Sequence, residues 1–305
     1  MAHNAFRAPG LRLQVFLSRC KSGVARRSHA APLNTKLEVP SAVTEDRTTA
    51  ERTKDPSAKM PFVERKVRRL VGKSIQRYQL IDRDDRILVA LSGGVDSTAL
   101  LWILHERRRR IPTPYGLVAL HVTLGFDGED CSPVQRWAES LGIPVHVYHS
   151  TFGLEAHGPE NRENPCFLCA RRRRAALFTE ARRLGCTKIA FGHNLDDLIE
   201  TFFMNILYGS QIAAMLPRQP FFGGEITVIR PLALLDSDTI RRFHCARGLP
   251  SAVNPCPSKN TGKRQEIRDI LQGLYRKNRK IRGNILNAMH NVNLEYLPKL
   301  PGKKG

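Results

Sequence analysis

The chain has 305 residues, enough for one large α/β domain or two smaller ones, and its 41% hydrophobic and 25% charged content suits a soluble globular protein. Its longest apolar runs fall far short of the ~20 residues that a membrane helix needs, so no membrane partner is expected. Forty-nine Lys and Arg against 28 Asp and Glu leave a formal charge of +21, which points to a polyanion such as nucleic acid, the alternative being a solvated basic face.

Residues 1–60 are dominated by Ala, Ser, Arg, Thr and Pro, and the first acidic residue is Glu38. This composition predicts disorder. Residues 5–27 are acid-free, Arg-containing and partly amphipathic. They read as an organelle transit peptide, as a dispensable bacterial extension, or as the product of a start codon assigned too far upstream. The expected location is therefore the bacterial cytoplasm, or the mitochondrion if residues 1–30 act as a presequence.

Phe62 to Tyr78 reads as a basic amphipathic helix, with Val63, Val67, Leu70, Val71 and Ile75 at helical spacing. A βα rhythm follows, with strands predicted at 86–91, 116–122, 144–149, 187–191 and 226–230. Helices are predicted between them at 97–110, 131–141 and 170–184. Such alternation predicts an α/β fold with a doubly wound parallel sheet. Ligands would bind at the carboxyl ends of its strands, where Ser92, His121 and Gly192 fall. Beyond Leu232 the pattern turns helical, at 236–248, 264–279 and 281–290. From Arg276 to Gly305 there are eight Lys or Arg and one acid, Glu295, which reads as a phosphate-facing tail or as a flexible solubilising end. The expected organisation is an extension (1–60), a nucleotide-binding domain (61–235) and a helical, basic C-terminal region (236–305).

The most informative stretch is RILVALSGGVDSTALL, Arg86 to Leu101. A short apolar strand runs directly into Ser92-Gly93-Gly94-Val95-Asp96-Ser97 and then into a helix. A glycine pair there lets backbone N–H groups close on an anion, and the helix N-terminus adds about half a positive charge. This is a phosphate cradle without the Walker A pattern. The segment resembles the SGGxDS signature of the PP-loop ATP pyrophosphatases, an adenine nucleotide α-hydrolase-like fold. The resemblance implies that Gly93, Gly94 and Ser97 hold pyrophosphate and that Asp96 helps to place Mg²⁺.

A second constellation, Gly192-His193-Asn194-Leu195-Asp196-Asp197, follows the apolar strand Lys188–Phe191. Adjacent carboxylates at a helix start suit a hard cation. They also suit N-capping, and the two roles are compatible. Met204 and the pair Phe202 and Phe203 read as core residues.

The seven cysteines are an odd number, which argues against a disulfide scaffold. Cys186 and Cys245 fall inside regular patterns and are expected to be small buried hydrophobes. Cys166 and Cys169 form a CxxC just before Arg171–Arg174. By itself that motif is a zinc half-site, a redox pair or part of an iron–sulfur site, or simply two structural thiols at a helix start. Cys256, in Asn254-Pro255-Cys256, is the remaining loop cysteine. Three thiolates without a fourth suit a [4Fe-4S] cluster with one open iron.

Together PCFLCARRRR, GHNLDDLIETFFMNILYG, VIRPLALL, the NPC of 254–256 and RQEIRDIL resemble the bacterial tRNA 2-thiocytidine synthetase (TtcA) family of iron–sulfur tRNA thiolases. The resemblance runs from about Pro61 to Pro298. It implies a cluster on Cys166, Cys169 and Cys256, with the C-terminal region completing that site. It further implies catalytic roles for Asp96, Asp197, Cys166 and Cys169, and ATP contacts from Ser92, Gly93, Gly94, Asp96, Ser97, His121, Gly192 and His193. Contacts to tRNA would come from Arg171, Arg172, Arg173, Arg174 and Arg264. The implied activity is thiolation of an anticodon-loop cytidine, with ATP, Mg²⁺ and the cluster as cofactors. The implied partners are tRNA, a sulfur donor such as a cysteine desulfurase, and a second copy in a homodimer. Relatives often have Lys where Val95 stands, and a further cysteine where Lys259 stands. A tRNA 2-thiouridine synthetase, a lysidine-type ligase, an RNA-binding protein with a degenerate nucleotide fold, and persulfide chemistry on the CxxC are the competing readings.

Overall fold

The computed structural model describes residues 61–258 and 262–298, so the extension expected over 1–60 lies outside the described residues. Its chain order is α1 (Phe62–Arg77), β1 (Asp85–Ala90), α2 (Val95–Arg108), β2 (Tyr115–Val122), α3 (Ser132–Ser140), β3 (Val145–Tyr148), α4 (Phe152–His157) and α5 (Pro165–Arg183). There follow β4 (Lys188–Ala190), α6 (Leu195–Gly209), β5 (Arg218–Phe221), β6 (Ile226–Ile229), α7 (Ser237–Ala246), α8 (Lys263–Lys277) and α9 (Ile281–His290).

The strands form one sheet in the order β3-β2-β1-β4-β6-β5. Every neighbouring pair is parallel except β5 with β6. The predicted doubly wound sheet is therefore present, with one antiparallel edge strand added. That strand, Arg218-Gln219-Pro220-Phe221, carries no alternating apolar pattern, and an edge position tolerates its proline. The chain leaves β1 toward β2 on one side and joins β4 on the other. The crevice at this reversal of strand order is where open α/β sheets take their ligands, and both glycine motifs empty into it.

Two apolar layers cover the sheet. On one face Ile87, Val89, Leu117 and Ala119 meet Leu100, Leu104, Val71 and Phe243 of α2, α1 and α7. On the other, Leu88, Val118, Leu120, Ile189 and Val228 meet Leu177, Phe178 and Ala181 of α5. Alternate residues of each central strand thus supply opposite layers, which is why these strands read as continuous apolar runs. A third cluster joins α6 to α8 through Leu195, Ile199, Ile267 and Leu271, with half-buried Phe203 and Met204 packed against it. No helix among the described residues is long and apolar enough to cross a membrane.

Two expectations need revision. Helix α5 begins at Pro165, not near residue 170, because Asn164 caps it by accepting from Phe167 N and Pro165 opens its first turn. The CxxC is therefore helical. Cys245 is exposed on α7, whereas Cys186 is buried as expected; position 245 lies on the outward face, away from Ile240 and Phe243. The short α4, with one glycine inside and one after it, left no periodic signal.

Candidate functional site

Buried Leu91 follows β1 directly, and Gly93 turns the chain at φ +76° before α2 starts. The loop is braced from within. Ser97 Oγ donates to Gly94 O at 2.9 Å, and Ser92 Oγ lies 3.1 Å from Ser97 Oγ. A distant segment locks it from outside, as Ala252 N donates to Gly93 O at 2.8 Å. A Cβ on Gly93 would stand 2.5 Å from the Ala252 Cβ. Gly93→Ala therefore meets both a positive φ and a clash. A loss of about 1–2 kcal/mol from φ alone is expected in urea unfolding, with weaker ATP binding. Ala252→Gly in the same chain should restore part of that stability; an unperturbed Gly93→Ala would contradict this geometry.

The second glycine, Gly192, lets β4 approach the first turn of α2, where an added Cβ would meet Asp96 C and Ser97 N at 3.1 Å. Asn194 then caps α6, its Oδ1 accepting from Asp196 N at 2.9 Å and Asp197 N at 3.3 Å, while Asp197 Oδ2 accepts from Asn194 N. The other end of the same amide, Nδ2, donates to Asp96 Oδ1 at 3.3 Å. One asparagine thus ties the two motifs together, and the GHNxDD string was its only sequence signal. Burial and then neighbouring Asp197 raise the Asp96 pKa to about 6, against the pull of Asn194. Burial pushes Asp197 up as well. Two desolvated carboxylates facing each other are an arrangement that a cation relieves.

Asp96 and Asp197 line two cavities. One, about 250 Å³, also touches Ser92, Ser97, His193 and Arg173. The other, about 230 Å³, also touches Asp196, Glu200, Arg268 and Tyr275. His193 is held near pKa 3 by burial and then by Arg230, Arg264, Arg174 and Arg173, so it is neutral. Its Nδ1 accepts from Arg230 Nε at 3.3 Å, which leaves the proton on Nε2. His121, at the end of β2, contacts Leu91 O through Nδ1 at 2.8 Å. Its buried Nε2 has no hydrogen-bond partner and stands 3.6 Å from Glu129 Oε1, in a smaller cavity shared with Ser92, Arg173 and Asn254.

The cysteines approach this crevice from two sides. Cys166 and Cys169 lie in the first turns of α5. Cys256 sits four residues past Ala252, in a turn closed by Cys256 N donating to Asn254 Oδ1 at 3.0 Å. Ser258 Oγ lies 2.8 Å from His157 Nε2, tying the Cys256 loop to the end of α4. Burial raises the Cys169 pKa, Arg173 lowers it, and the thiols of Cys256 and Cys166 raise it again. Cys169 therefore lies within electrostatic reach of both Cys166 and Cys256. Among the described residues no three His, Cys, Asp or Glu are arranged to hold a single metal ion.

The arginine run divides. Arg171 pairs with Glu163 at 3.1 Å and stacks over Phe167, and Arg172 pairs with Glu155. Arg173 turns toward the 250 Å³ cavity with a buried, unpartnered Nε, and Arg174 adds positive potential at His193 and Arg230. Arg264 reaches Thr201 Oγ1 at 3.3 Å and Asp197 Oδ1 at 3.8 Å, so it faces the carboxylates of α6. Ala252 and Tyr275 had no distinctive sequence signal, and Arg230 stood only within the VIRPLALL stretch with no role attached; the folded chain brings them here.

The PP-loop domain model ATP_bind_3 matches residues 61–274. A tRNA-cytidine(32) 2-sulfurtransferase of Syntrophotalea carbinolica is 36% identical over 247 residues, covering 78% of this chain and 95% of that protein. Its counterpart in Alkalilimnicola ehrlichii is 35% identical over 240 residues, covering 77% of this chain and 76% of the relative. Among solved structures, the U34-tRNA thiolase NcsA of Methanococcus maripaludis with its [4Fe-4S] cluster superposes with a TM-score of 0.63. It is 24% identical and covers 77% of this chain and 80% of its own, a likeness of fold. With its glycine loop, its capped acidic helix and these relatives, the chain belongs to the tRNA-cytidine(32) 2-sulfurtransferase family of PP-loop proteins.

Proposed function

We propose that this chain is an ATP-dependent tRNA sulfurtransferase that replaces O2 of a cytidine by sulfur. One observation carries the reading. The loop that leads to Cys256 is hydrogen-bonded through Ala252 N to Gly93 O, and Arg173, which acts on the Cys169 thiol, lines the cavity above the cradle, so both cysteine-bearing segments are anchored at the same crevice.

ATP would lie with its β and γ phosphates over Ser92–Ser97 and the N-terminus of α2. Asp96 and Asp197 supply the hard oxygens that Mg²⁺ takes together with phosphate. Two carboxylates at raised pKa fit that ion, and substrate oxygens complete its shell. The target base O2 attacks the α-phosphorus, the bond to the β-bridging oxygen breaks, and pyrophosphate leaves. A sulfide-level sulfur then adds at C2 and AMP departs with the former O2, so no net redox change is needed. Arg173, beside both Cys169 and the cradle, places positive charge where phosphate charge builds. Neutral His193 offers an Nε2 hydrogen without adding charge.

The cysteine set fits a [4Fe-4S] cluster better than a single ion. Four thiolates around zinc crowd to within about 4 Å of each other, given Zn–S bonds near 2.3 Å. Among the described residues no three such side chains gather around a single ion, and a four-iron cube spreads its ligands more widely. Cys166, Cys169 and Cys256 would hold it, and its open iron would supply a binding place for the transferred sulfur. A cysteine desulfurase delivers persulfide sulfur, so as the source it would have to act with a two-electron reductant, such as a dithiol, that releases the sulfur at the sulfide level.

Base adenylation is checked by incubating the anaerobically purified chain with α-labelled ATP, Mg²⁺ and unthiolated tRNA. The expected product is AMP, formed only when tRNA is present. Formation of ADP, or AMP release indifferent to tRNA, would overturn the adenylation step.

A further inference from the structure

We infer that the turn joining α8 to α9 is the phosphate clamp for the RNA strand carrying the target base. The inference rests on the thiolation reading and adds where the substrate is gripped. Arg276, Lys277, Arg279 and Lys280 are all exposed, and none pairs with an acid among the described residues. Of the other cations near the site, Arg174 is also exposed without an acid among the described residues, and the following are engaged. Arg171 and Arg172 hold Glu163 and Glu155, Arg268 holds Glu200 through both oxygens, and Arg173 turns inward. Uncompensated exposed cations are those that gain most from phosphate, because releasing counterions drives binding and no internal ion pair must break.

Position supports the same reading. Gln272 and Tyr275, on the turns of α8 just before the four cations, line the 230 Å³ cavity that contains Asp96 and Asp197. Just beyond them Arg282, at the start of α9, stands 2.8 Å from Asp196 Oδ1 and lies over the Tyr275 ring. The basic turn is thus the lip of an acid-lined cavity. Inside, Asp196, Glu200 and Asp238 are already paired with Arg282, Arg268 and Arg241, whereas the cations of the lip have no acid among the described residues to answer them, so phosphate is drawn to the lip. A strand held by its backbone at the lip can lower an unstacked base inside and keep its phosphates out, as recognition of single-stranded loops requires.

The test compares the full-length chain with a variant carrying R276Q, K277Q, R279Q and K280Q, using labelled bulk bacterial tRNA titrated across a series of KCl concentrations. A charge-matched control carries R65Q, R69Q, K73Q and R109Q on exposed positions of α1 and at the end of α2. ATP binding and the thermal midpoint are followed in all three. The clamp predicts a log–log salt slope shallower by about 3 in the first variant, from about 0.7 per contact on single strands, and roughly tenfold or weaker binding near 0.1 M salt. The control should keep the wild-type slope, and all three should bind ATP alike. A clamp variant with the wild-type slope, or a control losing as much, would overturn the clamp and leave the thiolation reading standing. Wild-type protein that binds no tRNA at any salt concentration would overturn both.

Discussion

Asp96→Asn is expected to stabilise the nucleotide-free protein at neutral pH while removing its activity. Asp96 is held at about pKa 6 by burial and by Asp197. A carboxyl whose folded value exceeds its unfolded one, near 4, favours the protonated form in the fold. That favourable contribution is complete below about pH 4 and is lost as the pH climbs through 6. At pH 7.5 the ionised group costs on the order of 3 kcal/mol. Asparagine removes that cost and can still accept from Asn194 Nδ2. Urea unfolding without nucleotide or Mg²⁺ should therefore show the variant ahead of wild type at pH 7.5, with the gap closing toward pH 5. Added Mg²⁺ should recover part of the difference for wild type only. Release of AMP in the presence of tRNA should fall by roughly 100-fold or more, the scale of losing a preorganised electrostatic group. A variant that is less stable at pH 7.5, or that turns over normally, would contradict the role given to this carboxylate.

The second large effect concerns sulfur. Cys169→Ala and Cys256→Ala should each abolish iron and sulfide loading and the accompanying visible absorbance. Thiolation should fall below roughly a hundredth of wild type, beyond the 10–100-fold typical of groups that only support a metal ligand. Binding of ATP should persist, because the cradle is built from β1, α2 and β4 and contains no cysteine. Cys245→Ala, on the exposed face of α7, should change neither property. Iron retained at the wild-type level in Cys256→Ala would remove the distant cysteine from the site. Equal losses in Cys245→Ala would mean that cysteine substitution damages folding generally.

The sheet was legible because its central strands are buried on both faces. Ile87 to Leu91 and Leu117 to Val122 could hardly be anything else once SGGVDS followed the first of them. The order of the strands and the β5 edge were not, since Arg218–Phe221 carries no periodic pattern and its one large apolar side chain, Phe221, packs on Phe178 of a distant helix. At the site, Ser92 to Ser97 and Asn194 to Asp197 announced themselves through glycine and capping chemistry that depends on nearest neighbours. Cys256 could be grouped with Cys166 and Cys169 only by counting thiols and by resemblance. What joins them physically, Ala252 against Gly93 and His157 beside Ser258, spans about 100 residues or more in each case and leaves no local trace. The arginine run misled through its density. Arg171 and Arg172 are answered by Glu163 and Glu155, one before α5 begins and one on α4, and a charge count cannot see such pairing.

Nucleoside mass spectrometry tests the account most directly. Unthiolated tRNA is incubated under anaerobic conditions with the iron-loaded protein, MgATP and sulfide, then digested to nucleosides. The expected result is new 2-thiocytidine that vanishes when ATP is omitted or Cys169 is replaced. Finding 2-thiouridine in its place, or no sulfur-bearing nucleoside from iron-loaded protein that binds tRNA, would contradict the proposed reaction.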